Sequence, residues 1–130
     1  MASDEYTLPS LYMLWPRCRL ATPPSAAIPS GYTLRSYIEG DEGAINNLFA
    51  MEEWSLTEEQ WQESKDKFLP GGLLLLFHTS SSTLVGTVST VHNPNPGRYY
   101  FPFGGELGDL LVHPVHRGQG LGYALSVQAV

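Results

Sequence analysis

The chain has 130 residues, enough for one domain around one core. With 42% hydrophobic and 15% charged residues it reads as globular rather than disordered, and a net charge of −6 argues against a nucleic-acid surface. No apolar stretch reaches the roughly 18 to 20 residues of a membrane span, no basic-then-apolar N-terminus marks a secretory signal, and the lone Cys18 can form no internal disulfide, so a cytoplasmic protein without membrane partners is expected.

Residues 1–31 read as a Pro-rich arm or linker. Pro9, Pro16, Pro23, Pro24 and Pro29 interrupt any helix, and small residues dominate from Ala21 to Gly31. Within this arm, Leu11 to Trp15 is an apolar docking segment. The folded part is expected over 32–130. Tyr32 to Tyr37 alternates and is rich in β-formers, which predicts a strand. Ala44, Ile45, Leu48 and Phe49 form a helical stripe behind acids placed where the helix dipole favours them. Thr57 and Gln60 make a capping-box pattern for a second helix, which continues through Trp61, Lys65 and Phe68. Pro70-Gly71-Gly72 stops it.

Leu73 to Phe77 is a short continuous apolar run, as in a strand covered on both faces. The polar turn Thr79 to Thr83 joins it in a hairpin to Leu84–His92, where Val85, Thr87, Ser89 and Val91 alternate with Val88 and Thr90. Asn93 to Gly97 is a loop and Tyr99-Tyr100-Phe101 an aromatic patch, suited to core packing or to an acceptor pocket. Leu107 to Val112 is a strand interrupted by Asp109. After Pro114 and a glycine loop, Tyr123 to Val130 begins a helix. The order β-α-α-β-β-β-α predicts an α/β (α+β) domain, a mostly antiparallel sheet flanked by helices.

Charge is unevenly spread. Residues 38–67 hold nine acids and two bases, a local charge of −7. A solvated helix face is the plain reading. The other is steering of a cationic ligand.

The chemistry concentrates in Arg117-Gly118-Gln119-Gly120-Leu121-Gly122, between a strand and a helix. The first helical N–H groups lack intrahelical partners and carry partial positive charge. Glycines let the backbone approach closely, so the turn suits a pyrophosphate. No Gly-Lys-Ser/Thr follows, which excludes a P-loop. Tyr123 stands where a dinucleotide fingerprint needs glycine, and its acidic ribose partner would lie beyond Val130.

The segment resembles the acetyl-CoA motif of the GNAT superfamily of N-acyltransferases: a strand, a proline, then Arg/Gln-x-x-Gly-x-Gly/Ala opening a helix. The resemblance spans about Tyr32 to Val130. It implies an N-acetyltransferase domain over 32–130, with acetyl-CoA as co-substrate and an amine acceptor, small molecule or peptide. Backbone groups of Leu110, Leu111 and Val112 would bond the acyl-pantetheine. Those of Gly118, Gln119, Gly120, Leu121, Gly122 and Tyr123 would hold the diphosphate, with Arg117 at the rim. The closing strands and last helix of the family are not in the chain, so the domain reads as incomplete at its C-terminus.

Direct attack of an amine on a thioester needs a base and carbonyl-polarising donors. Glu106 is the first candidate base. It lies six residues before Val112, so on a regular strand the two share a face, a parity that a bulge would break. Asp109, of opposite parity, ranks second. His113 and His116 lack the further ligands a metal site needs, so no metal is expected, and His78 and His92 read as structural. Three functions remain open: an N-acyltransferase, a non-catalytic acyl-CoA-binding or interaction module, and a nucleotide-binding domain.

Overall fold

The computed structural model describes residues 17–19, 21–22, 24–53, 56–92 and 105–129. The segment Leu11 to Trp15, the loop Asn93 to Gly97 and the aromatic run Tyr99 to Phe101 lie outside them. The described chain runs β1 (Tyr32–Ser36), α1 (Glu42–Phe49), α2 (Glu58–Lys65), β2 (Phe68–His78), β3 (Thr83–His92), β4 (Gly105–Val112) and α3 (Leu121–Ala129), with short 3₁₀ turns at Arg17–Arg19, Ala50–Glu52 and Pro114–His116. The strands form one antiparallel sheet in the order β1-β2-β3-β4. The expected element order and fold class hold.

Alternate side chains of a strand leave opposite faces, and β2 is apolar on both. Leu73 and Leu75 pack with Ile45, Leu48 and Phe49 of α1 and Trp61 of α2. Leu76 packs on the other side with Val85 and Val88 of β3 and Leu121 and Leu125 of α3. One face of the sheet therefore carries α1 and α2, and the other carries α3. Ile28 also packs against the α3-side cluster, and Gln128 Nε2 donates to the Ala26 carbonyl at 2.8 Å, so the end of the Pro-rich segment lies against α3.

The two helices of the first face start differently. At α2, the Gln60 N–H donates to Thr57 Oγ1 at 3.2 Å and the Thr57 N–H to Gln60 Oε1 at 3.0 Å, a complete capping box. Such a cap contributes about 0.5–2 kcal/mol. At α1, Asp41 makes no side-chain cap. Its carboxylate instead accepts two hydrogen bonds from Arg35, at 2.7 and 2.9 Å, and one from the Ile38 N–H at 2.9 Å, tying the helix start to β1.

Three local expectations are corrected. Phe68 does not extend α2. It opens β2, pairing with Val91, and the register shifts between Phe68 and Leu73. Pro70-Gly71-Gly72 thus lies inside a strand as an irregularity. Pro70 has no N–H to pair, and a Cβ on Gly72 would sit 2.5 Å from Thr90 Oγ1 and 2.7 Å from two carbonyl oxygens, so only glycine fits there. In β3 a second shift, between Leu76 and Phe77 of its partner, adds a residue at Val85. Leu84 joins the α1/α2 side while Val85 turns to α3, apart from Thr87. The third helix begins at Leu121, two residues before Tyr123. Among the described residues no helix is long and apolar enough to cross a membrane.

Candidate active site

The glycine loop takes the form its sequence implies. Gly118 and Gly120 have φ of +81° and +80°, a region L side chains rarely adopt, and a Cβ at either would meet nothing within 4 Å. The backbone is thus left-handed and open to approach. The first intrahelical bond of α3 runs from the Ala124 N–H to the Gly120 carbonyl at 3.0 Å, so the N–H groups of 121, 122 and 123 precede the helix ladder. A cavity of about 270 Å³ opens there. Leu110 and Val112 line it from β4, and Arg117, Gly118, Gly120, Leu121 and Gly122 from the loop. Strand end and loop, twelve residues apart in sequence at their extremes, share one concavity. Leu111 is buried on the opposite face, against the α1/α2 core, so it can face this cavity only through its backbone. Tyr123 is exposed. The strand β4 is an edge of the described sheet, with one side of its backbone unpaired by any other described strand.

Side chains pin this loop from distant parts of the chain. Arg117 Nε donates to the Val112 carbonyl at 2.8 Å, and its Nη2 donates to Glu52 Oε1 at 2.6 Å. The rim cation is therefore paired with an acid from the α1–α2 link. Gln119 Nε2 donates to the His116 carbonyl at 3.3 Å, and its Oε1 accepts from the Tyr32 hydroxyl at 3.3 Å. That hydroxyl also meets His116 Nδ1 at 2.8 Å. The His116 ring is held below its ordinary pKa by burial, and then by the nearby His78 and His113. His113 Nδ1 accepts the Val115 N–H at 3.1 Å. No arrangement of three or more His, Cys, Asp or Glu side chains among the described residues could hold a metal ion. Sequence reading missed the contacts of Glu52 with Arg117 and of Tyr32 with Gln119, because both span long separations that leave no local pattern.

The candidate carboxylates lie on the other face. β4 is not regular. Thr87 pairs with Leu111 and Ser89 with Gly108, so Asp109 and Leu110 together oppose Val88. This is a bulge, and Asp109 has φ +49° within it. The buried hydroxyls of β3 hold it, with Thr87 Oγ1 donating to the Asp109 carbonyl at 2.8 Å and Ser89 Oγ to Asp109 Oδ2 at 3.0 Å. The bulge breaks the parity between Glu106 and Val112. Glu106 pairs with Val91 and shares the α1/α2 side with Asp109, whereas Val112 packs on the α3 side. Asp109 lines a second cavity, of about 430 Å³, walled by Phe49, Trp61, Phe68 and Leu73, with Glu53 as its other carboxylate. Asp109 and Glu106 are both exposed, but Glu106 sits further along the strand and does not line this cavity.

A strand, a left-handed glycine turn and an open helix N-terminus, set on the edge of an antiparallel sheet with helices on both faces, define an α/β domain with a concave, backbone-lined site at that edge. The model of the Acetyltransferase (GNAT) family matches residues 41–130, and the chain belongs to that family. A GCN5-related N-acetyltransferase from Sphaerobacter thermophilus is similar in structure at 29% identity and a TM-score of 0.59, over 82% of this chain and 34% of that one. The chain thus spans about a third of that relative's length. An acetyltransferase of Trypanosoma brucei aligns at 24% identity and TM-score 0.54, over 75% of this chain and 71% of that one. A Brucella melitensis GNAT acetyltransferase solved with acetyl-CoA aligns at 15% and 0.51, over 73% and 63%. These last two show the shared fold. No curated protein matches the chain.

Proposed function

We propose that the chain binds acetyl-CoA on the α3 side of β4 and serves in transfer of the acetyl group to an amine by direct attack, in the cytoplasm. The observation that carries this reading is the cavity shared by Leu110, Val112 and the Arg117–Gly122 loop. The free N–H groups at the start of α3 and the open backbone at Gly118 and Gly120 suit the diphosphate. The unpaired edge of β4 suits an extended pantetheine, added as a strand would be. The backbone of Leu110, Leu111, Val112, Gln119 and Tyr123 belongs to the same reading.

In the transfer, the amine lone pair attacks the thioester carbonyl carbon. A C–N bond forms, the C–S bond breaks, and the thiolate leaves and takes up a proton. A carboxylate on the α1/α2 side receives the proton the amine gives up. Asp109, set at the bulge and bordering the larger cavity, is better placed for this than Glu106. Calorimetric titration with acetyl-CoA, CoA and ATP tests the binding reading. Binding of both CoA species and not ATP supports it, and a preference for ATP overturns it. Thiol release with an amine panel tests transfer, and binding without release would leave a non-catalytic CoA-binding module.

A further inference from the structure

The larger cavity is aromatic and aliphatic in its walls and acidic in its charged groups. Three aromatic rings, Phe49, Trp61 and Phe68, and the aliphatic Leu73 wall it, while its charged members, Glu53 and Asp109, are both acidic. Among the described residues neither lysine nor arginine lines it. The one neutral hydroxyl among its described lining residues, on Ser64, already donates to the Gln60 carbonyl at 2.9 Å. Trp61 is 4% exposed, and among the described residues its indole N–H makes no hydrogen bond of normal geometry. The Tyr37 hydroxyl feels that N–H but itself donates to Glu42.

Each hydroxyl of a sugar would lose water there and find few neutral partners among the described residues. A carboxylate or phosphate would meet two acids. An apolar group would exchange water for rings, and one ammonium would meet the carboxylates. The volume lies within the range of small-molecule sites.

We infer that this cavity accepts a primary amine carried on an aromatic or aliphatic group, with its ammonium between Asp109 and Glu53 and its apolar part against Phe49, Trp61 and Phe68. This rests on the acyl-transfer reading above and names the acceptor class for it. The products are the N-acetyl amide of that amine and free CoA thiol.

The test uses the full chain with acetyl-CoA and four acceptors: 2-phenylethylamine, n-hexylamine, ethanolamine and glucosamine. Thiol release should give the first two a kcat/KM at least about tenfold above the last two, the scale on which apolar pockets discriminate. Ser64→Phe, which fills the cavity, should shrink that ratio below about threefold without changing acetyl-CoA affinity. In parallel, 2-phenylethylamine is titrated against the Trp61 indole NMR signal, assigned with Trp61→Phe. A shift without thiol release upholds the pocket and sinks the transfer reading. Equal or reversed preference among the amines, or an indole signal that stays still, overturns the inference.

Discussion

The two faces of the sheet make their cavities from different material. On the α3 side the cavity is largely backbone: two left-handed glycines, a helix start and a strand edge. On the α1/α2 side it is side chains: aromatic rings from two helices and a strand, and an aspartate fixed by a bulge. A backbone site depends on a few contiguous residues whose conformations few other residues can copy. A side-chain site depends on register between distant strands, and many side chains could be exchanged while its geometry survives. Substitutions should therefore be severe and local on the first face, graded on the second.

The largest effect is expected at Gly120. Its φ of +80° already penalises other residues, and Gly120→Ala should weaken acetyl-CoA binding about tenfold through backbone strain alone. Gly120→Asp adds a negative charge beside the diphosphate and should weaken it by more than about a hundredfold. Calorimetry reads both, and a parent-like affinity for the aspartate variant would break the distinction.

On the opposite face, Asp109→Asn keeps an oxygen for Ser89 but removes the proposed base. Turnover below the amine pKa should fall by about a hundredfold, with acetyl-CoA affinity unchanged. An unaltered pH–rate profile, with Glu106→Gln supplying the loss instead, would move the role to Glu106.

The α1/α2 side should also fail in acid. Asp41 is held below the ordinary carboxyl pKa, first by the hydrogen bond from Arg35 and then by the Ile38 N–H, against a burial penalty. Its contribution is present above the unfolded-state value of about 3.9 and drains away as pH falls through the depressed folded value. Asp41→Asn should cost about 1–2 kcal/mol at neutral pH and flatten that acid limb in thermal melts. An unchanged acid limb would mean that the pair does not stabilise the face.

The smallest effect joins the two faces. Glu52 reaches from the α1–α2 link to Arg117 at the glycine loop, and both side chains are exposed. Glu52→Gln removes a negative charge near the diphosphate and should tighten acetyl-CoA binding by no more than about fivefold, fading with salt. Weaker binding would mean that the carboxylate matters more for holding Arg117 in place. The pairing also limits what Glu52 can do for cation steering, a task the structure leaves better suited to Glu53 beside the larger cavity.

This division also governs what the sequence reveals. The glycine loop, the Thr57–Gln60 cap and the both-sided burial of Leu73 to Phe77 are local patterns, and each is present as read. The face of Glu106 was not legible, because its parity relative to Val112 turns on one extra residue at Asp109. That residue is fixed by Thr87 and Ser89, some twenty positions upstream. The same holds for Tyr32 and Glu52, whose partners lie more than sixty residues away. Long-range hydrogen bonds leave no periodicity behind them.

The central claim is that backbone groups of one loop and one strand end receive acetyl-CoA. Amide NMR of the labelled chain, titrated with acetyl-CoA, tests it most directly. The largest shifts should fall on Gly118 to Tyr123 and on Leu110 to Val112, with Trp61 and Glu53 nearly still until an amine is added. Shifts centred on the α1/α2 side, or a loop that does not respond at saturating acetyl-CoA, would contradict it.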